Sequence, residues 1–399
     1  FLAPGGFVTH DAQLVLNQGM VEYMYLAHIF LLRALASLRL SRRILYSIAA
    51  AYARSFPMFF PCSGKCSFSF SENAFPVFCR FLKKKRFTFG RVCATVGCVH
   101  RSRKGGVLYV KKIQLILNPI AGNGRSRVIG DEVCRRLKSS GIPYEMTCTA
   151  CAGHAVSLAA QAAERGADSV LSIGGDGTAL ETATGLRGTS AALGIIPAGT
   201  GNDFIKTLGY PSDPMAALEH VMNHAPVPTD VGLLNDTMFL NETGTGFDVK
   251  VLEYAEKAKK YCRGLLPYLY GVIGTIVHYR PTLLTYQIDE EPAVTENVLV
   301  CAVANGGIIG GGIPIAPKAR VDDGLFDVVI VRDVPKRRLP LYLPRLMAGK
   351  ILSFPETLYR RARKVVFSAP DMKVNIDGEI RPMAQVSLEI GPGQLLVHR

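Results

Sequence analysis

Several common signatures are missing from this 399-residue chain. No run of about 20 apolar residues occurs, so no helical membrane span is expected. The best apolar run, Tyr23 to Leu32, is bounded by Glu22 and Arg33. Basic residues rather than a small-residue cleavage site follow it, which argues against a secretory signal. There is no G-x-x-x-x-G-K-[ST], which excludes a P-loop nucleotide site. A disulfide framework is missing too. Cys134, Cys148, Cys151, Cys262 and Cys301 are scattered, mostly through apolar stretches, as buried thiols in a reducing compartment would be.

Basic charge is also absent where a nucleic-acid-binding fold would need it. The chain has 46 Lys+Arg against 32 Asp+Glu. Residues 1–112 hold 17 of the basic and 3 of the acidic residues, so the rest is balanced at 29 of each. The excess therefore belongs to the first 112 residues, and no nucleic-acid partner is expected.

That leader, residues 1–110, lacks any sustained helical or strand period. Cys93, Cys98 and His100 suggest zinc, but no fourth ligand is evident. The run Lys83–Arg86 reads as a solvated stretch. The leader is read as an over-extended reading frame, with Val107, Leu108 or Val110 as alternative starts.

What is present begins at Ile113. Strand-like segments Ile113–Leu117, Tyr144–Thr149, Ser169–Ile173 and Leu193–Pro197 alternate with helical ones at Ser126–Ser139, His154–Arg165, Thr178–Leu186 and Asn202–Leu208. This alternation predicts an α/β domain over residues 111–226 with a mostly parallel sheet. Ligands of such sheets bind beyond the carboxyl ends of the strands.

Three of those ends carry glycine-rich turns: Asn118-Pro119-Ile120-Ala121-Gly122, Gly174-Gly175-Asp176-Gly177-Thr178 and Gly199-Thr200-Gly201-Asn202-Asp203-Phe204. Glycine lets backbone N–H groups approach a polyphosphate, and a helix N-terminus favours the anion. Acidic residues in two of the turns suit a Mg²⁺ that accompanies phosphate. The third glycine of a dinucleotide fingerprint is not in place.

Residues 227–392 read as a mainly β domain with helical insertions, and 393–399 as a tail that could return to the first domain. Strands are expected at Met238–Asn241, Leu283–Asp289, Asn297–Ala304, Leu325–Arg332, Val365–Ser368, Lys373–Ile376 and Val386–Ile390. Helices are expected at Lys250–Cys262 and Leu265–Tyr279, the second serving as core or as the lining of an acyl-chain cleft. Asn305 to Gly312 implies close backbone approach, to substrate or across the cleft between domains. Asp323-Gly324 and Asp377-Gly378 each read locally as hairpin turns.

The three turns, in that order, resemble those of the diacylglycerol kinase catalytic-domain family. The likeness is nearest to its soluble bacterial lipid kinases, which are similar to sphingosine and ceramide kinases, and it covers about residues 111–397. The resemblance implies an NAD-kinase-like α/β nucleotide domain followed by a β-sandwich. It implies ATP-dependent phosphorylation of a lipid hydroxyl, with diacylglycerol first and a sphingoid base or another lipid alcohol as alternatives; a non-catalytic nucleotide- or lipid-binding protein is the remote alternative, disfavoured because none of the four acids Asp176, Asp203, Asp230 and Glu379 is lost.

By the same resemblance Asn118, Pro119, Gly122, Thr149, Gly174, Gly175, Gly177, Thr178, Gly199, Thr200 and Asn202 would contact nucleotide. Asp176, Asp203 and Asp230 would hold the catalytic Mg²⁺, and Glu379 would be the general base. A structural Mg²⁺ would take the Asp323 side chain and the main-chain carbonyls of Arg320 and Leu325. Leu180 and Asn123 stand where the family often has Asn and Lys.

Residues 332–364 contain ten Lys/Arg against Asp333 and Glu356, with Leu339, Leu341, Leu343 and Leu346 between. Such a stretch suits the surface of an anionic membrane. A cytoplasmic enzyme peripheral to the inner face of the membrane is expected, and a homodimer is compatible with the sequence.

Overall fold

The computed structural model describes residues 112–399, apart from 236, 259–260 and 262–265. The leader, its zinc candidates, its alternative starts and Cys262 lie outside the described residues.

The first lobe is built on β1 (Ile113–Leu117), β2 (Tyr144–Cys148), β3 (Ser169–Gly174) and β4 (Ala192–Pro197), all parallel, in the order β4-β3-β1-β2. β1, β3 and β4 are buried along their whole length. Their mainly apolar runs, interrupted by Gln114, Ser169 and Ser172, are what a parallel sheet covered on both faces requires. The covering helices are α1 (Arg125–Ser139), α2 (His154–Glu164), α3 (Asp176–Leu186), the short α4 (Asp203–Thr207) and α5 (Pro214–Asn223). Val133 and Leu137 of α1, and Ala155, Ala159 and Ala162 of α2, enter the core at helical spacing. Helix α5 was not expected from the sequence. Asp213 caps it, accepting from the Ala216 N–H at 2.9 Å, and Pro214 occupies its first turn.

β5 (Pro226–Leu234) and β6 (Thr237–Phe239) lead into the second lobe. There β7 (Glu242–Gly246), β8 (Thr282–Ile288), β9 (Val294–Ala304), the two-residue β10 (Ile308–Ile309) and β11 (Ile313–Pro314), β12 (Phe326–Arg332), β13 (Thr357–Ala362), β14 (Lys364–Ser368), β15 (Lys373–Ile376), β16 (Glu379–Pro382) and β17 (Gln385–His398) follow. Apart from the β10-β11 ladder they pair antiparallel, along the path β16-β15-β7-β9-β8-β14-β17, from which β12 branches at β9 and carries β13 on its other side. Helices α6 (Phe247–Ala258), α7 (Leu266–His278) and α8 (Leu339–Met347) are inserted. One second-lobe core centres on Phe239, Phe326 and Phe367, and another lies where Val251 and Ile276 meet β9 and β12.

β17 extends well beyond the expected Val386–Ile390. It pairs antiparallel with β14 and β5, bulges between Gly391 and Leu395, then runs parallel to β4 through Leu396 and Val397. The lobes therefore share a sheet. β7, β13 and β16 were not foreseen. β7 reads Glu-Thr-Gly-Thr-Gly, and glycines on its inner positions conceal the strand pattern.

The Asp377-Gly378 turn is a two-residue hairpin loop, with Ile376 opposite Glu379 and positive φ at both turn residues (46° and 95°). The Asp323-Gly324 turn is not a hairpin. It precedes β12, whose partners are β9 and β13.

Candidate active site

The glycine-rich turns occupy the carboxyl ends of β1, β3 and β4, and contact one another through backbone. Gly199 meets Gly175 so closely that a Cβ on Gly199 would lie 2.4 Å from the Gly175 Cα. Gly122 has φ +58°, and a Cβ there would lie 2.1 Å from the Ala198 carbonyl oxygen. The Gly174 carbonyl accepts from the Ala198 and Gly199 N–H groups at 2.7 and 3.1 Å. Asn118 donates through Nδ2 to Thr178 Oγ1 at 3.1 Å, and its own N–H bonds the Ile173 carbonyl. Asn202, at φ +51°, braces the third turn in both directions: its Oδ1 accepts from Gly199 N–H and its Nδ2 donates to Gly199 O. Thr149 continues β2, its N–H on the Leu117 carbonyl at 2.8 Å. The Pro119 carbonyl accepts from Arg127 Nε. Gly177 and Thr200 stay exposed.

Two acids meet at this junction. Asp176 opens α3, and its Oδ1 accepts from the N–H groups of Asp203 and Phe204 at 2.6 and 3.3 Å. A Cβ on Gly201 would lie 2.9 Å from Asp176 Oδ2 and 3.5 Å from Asp203 Oδ2. Both carboxylates therefore border the same glycine. Burial and then the Asp203 charge raise the Asp176 pKa, against the pull of backbone N–H groups from residues 202–204. Lys206 Nζ offsets the charge, at 3.3 Å from Asp203 Oδ1 and 2.6 Å from the Gly201 carbonyl.

The second lobe closes on these acids. Gly311 donates its N–H to Asp203 Oδ2 at 2.8 Å. The glycine-rich Asn305–Gly312 segment thus approaches across the cleft between lobes. Asn305 and Gly306 N–H groups bond the Asn241 carbonyl at 2.8 Å.

Asp377 is half-buried and sits on the backbone of residues 240–242. It accepts three backbone N–H groups, from Leu240 at 2.6 Å and from Asn241 and Glu242 at 2.9 Å. Burial raises its pKa to about 6; those three N–H groups oppose the rise and the Asp176 charge adds to it. No sequence signal separated Asp377 from an ordinary turn residue, because its partners lie some 135 positions away.

Glu379, two residues on, is 70% exposed and ion-paired with Arg381 at 3.0 Å. Asp377 is the carboxylate of this hairpin that feels the Asp176 charge; the Glu379 side chain faces solvent, paired with Arg381.

Asp230 secures the Val321–Leu325 turn: its oxygens accept the Gly324 and Gly393 N–H groups, both at 2.7 Å. Asp323 and Leu325 belong to that turn, and Arg320 immediately precedes it. Asp323 Oδ1 accepts from the Leu325 N–H at 3.2 Å, and Oδ2 carries the Arg361 guanidinium. Glu181, beside the unusual Leu180, accepts the Ala155 N–H at the start of α2.

Asp176 and Asp203 fit a hard cation. They are two carboxylates that repel each other at one glycine, and oxygen donors of this kind suit Mg²⁺. Among the described residues no group of three or more His, Cys, Asp or Glu side chains converges. Any further ligands would therefore be phosphate, water or main chain.

Comparison with known proteins matches this geometry. Residues 112–234 match the diacylglycerol kinase catalytic domain, and residues 241–399 the YegS C-terminal NAD kinase beta sandwich-like domain. A diacylglycerol kinase of Mycobacterium tuberculosis is 28% identical over 296 residues, which are 73% of this chain and 96% of that protein. A probable YegS-like lipid kinase of Pseudomonas putida is 31% identical over 271 residues, 66% of this chain and 87% of its own length. A crystal structure of a putative diacylglycerol kinase from Bacillus anthracis shares the fold, with a TM-score of 0.59 at 24% identity, over 72% of this chain and 96% of that one. The chain therefore belongs to the diacylglycerol-kinase-like family of lipid kinases, phosphotransferases that use ATP and an alcohol acceptor.

Proposed function

We propose that the chain transfers the γ-phosphoryl group of ATP to the primary hydroxyl of diacylglycerol, giving phosphatidic acid. The observation that carries this reading is the closure of the second lobe on the first-lobe acids, through the Gly311 N–H on Asp203, with the Asp377 carboxylate within electrostatic reach of Asp176. A phosphate-binding junction alone would bind nucleotide; a second lobe meeting it supplies a place for an acceptor. Relatives named diacylglycerol kinase support the choice of lipid.

Phosphoryl transfer is catalysed mainly by positioning and charge neutralisation. Backbone N–H groups of the Gly122, Gly175 and Gly199 turns would face the phosphates, helped by the N-terminus of α3. Asp176 and Asp203 would hold Mg²⁺, which supplies neutralisation of charge on the phosphates. Lys206 limits the repulsion between the two acids. Glu379 would accept the lipid hydroxyl proton as that oxygen bonds to the γ-phosphorus and ADP leaves. Its exposure suits a base that meets a substrate arriving from an interface.

No described helix is long and apolar enough to cross a membrane. Access to lipid would come from the surface at residues 332–364. There Lys336, Arg337, Leu341 and Met347 are exposed, with Lys336 donating to the Val277 carbonyl, Arg338 paired with Glu356 and Arg345 bonded to Ser353. Anionic lipid attracts basic residues near its surface by about 1 kcal/mol each. Co-sedimentation with anionic liposomes, lost on joint replacement of Lys336 and Arg337 by Glu, tests this contact; binding independent of lipid charge rejects it. Radiolabelled ATP with diacylglycerol, sphingoid bases and other lipid alcohols in mixed micelles tests the acceptor. Labelled phosphatidic acid is expected, and label only in another lipid would replace diacylglycerol.

A further inference from the structure

The resemblance implies a structural Mg²⁺ on Asp323, but the residues here do not fit one. We propose that the Arg361 guanidinium is the built-in cation of the Val321–Leu325 turn, which needs no divalent metal.

The turn lies at the junction between the lobes. Asp230 takes the Gly324 N–H through one carboxylate oxygen and the Gly393 N–H of β17 through the other, and its own N–H bonds the Val321 carbonyl. Both acids of the turn are neutralised by arginine. Asp322 bonds Arg320 and Arg399, each at 3.1 Å. Asp323 pairs with Arg361.

Arg361 is not a chance surface neighbour. The β12-β13 register puts it directly opposite Asp327, four residues beyond Asp323. Asp327 is fully buried, takes the Tyr359 hydroxyl on Oδ1 and has no hydrogen-bond partner for Oδ2. The Arg361 charge acts on Asp327 in the stabilising sense, against that of Asp323. One guanidinium thus serves two carboxylates, Asp327 fixed by the β12-β13 pairing and Asp323 by the turn that Asp230 holds.

A divalent ion in this place would have to displace it. Mg²⁺ demands near-octahedral oxygen coordination, and Asp323 offers one carboxylate already bonded to a permanently charged group. A guanidinium gives weaker but pH-independent neutralisation. The junction would then keep its geometry whatever the metal supply, while nucleotide chemistry at Asp176 and Asp203 remains a separate matter.

The test is thermal unfolding of the nucleotide-free full chain, in EDTA and in millimolar Mg²⁺ or Ca²⁺. Any cation shift of the wild type is expected to persist unchanged in Asp323→Asn, because Asp323 is not its site. A wild-type shift that Asp323→Asn abolishes would overturn the proposal. Arg361→Ala should melt a few degrees lower and gain a cation-dependent recovery that Asp323→Asn removes. Unchanged melting of Arg361→Ala would equally overturn it. Should Arg361→Ala fail to fold, the wild-type and Asp323→Asn comparison still decides, because neither protein lacks the arginine.

Discussion

The first-lobe turns and the two second-lobe Asp-Gly turns use the same residue types but are fixed differently. Gly122, Gly175 and Gly199 are held by contacts among three adjacent strand ends, so their sequence spacing already implies their meeting. Asp323 and Asp377 are held by groups remote in sequence: Arg361 for one, the Leu240–Glu242 backbone for the other. An Asp-Gly pair therefore predicts a turn in both places, but not what its carboxylate does. One turn closes a hairpin on the Leu240–Glu242 backbone, and the other is anchored by Asp230 and Arg361 at the lobe junction.

Substitutions can break this contrast in order of size. Asp176→Asn should lower kcat roughly a thousandfold, the several kcal/mol of transition-state stabilisation tied to the metal-binding charge. Steady-state kinetics with circular dichroism would check that the fold survives.

Glu379→Gln should cost about a hundredfold in kcat, typical of a missing general base, with melting temperature and the KM for ATP unchanged. Wild-type turnover in this variant would move the base elsewhere.

Asp377→Ala should act first on stability. Three backbone N–H groups lose their acceptor, at about 1–3 kcal/mol for each one left unsatisfied. Urea denaturation should show a loss larger than that of Glu379→Ala, whose carboxylate is exposed.

Gly199→Ala should destabilise by about 1–3 kcal/mol through overpacking, since its Cβ would collide with Gly175 backbone. It should also raise the KM for ATP, because the phosphate turns must separate to admit it.

The smallest effect is on pH dependence. Asp248 is raised from 3.8 to about 6, mainly by burial, which the Val249 N–H and Asn375 oppose. The folded state therefore binds a proton more tightly than the unfolded chain. That contribution to stability is present below about pH 4 and is lost as pH rises through about 6. The wild-type melting temperature minus that of Asp248→Asn should fall across this window. A flat difference would reject the shift.

Much of the first lobe was legible because its signals are local. Buried parallel strands read as apolar runs, and glycine turns mark where helices start. Helix α5 was overlooked although Asp213-Pro214 marks its start. In the second lobe β7 was hidden by its glycines, and β13 by Arg360 and Arg361, which were read as part of the basic 332–364 stretch rather than as a strand. The acid pair Asp176 and Asp203 was found from its motifs. Asp230 was grouped with the pair by resemblance, and nothing local shows that its oxygens accept the Gly324 and Gly393 N–H groups. Lys206 carries a weak signal, three residues after Asp203 on a short helix. Gly311 lay within a segment expected to approach either substrate or the opposite lobe, and its N–H on Asp203 shows the latter.

The central claim is that a two-acid phosphate junction and the second-lobe Asp377–Glu379 hairpin act together on a lipid alcohol. The most direct measurement is transfer of label from γ-³²P-ATP to diacylglycerol in mixed micelles, run in parallel for wild type, Asp176→Asn and Glu379→Gln. The account predicts labelled phosphatidic acid from the wild type and a collapse of transfer in both variants, with ATP binding retained by Glu379→Gln. A wild-type chain that binds ATP yet labels no lipid alcohol, or variants as active as the wild type, would contradict it.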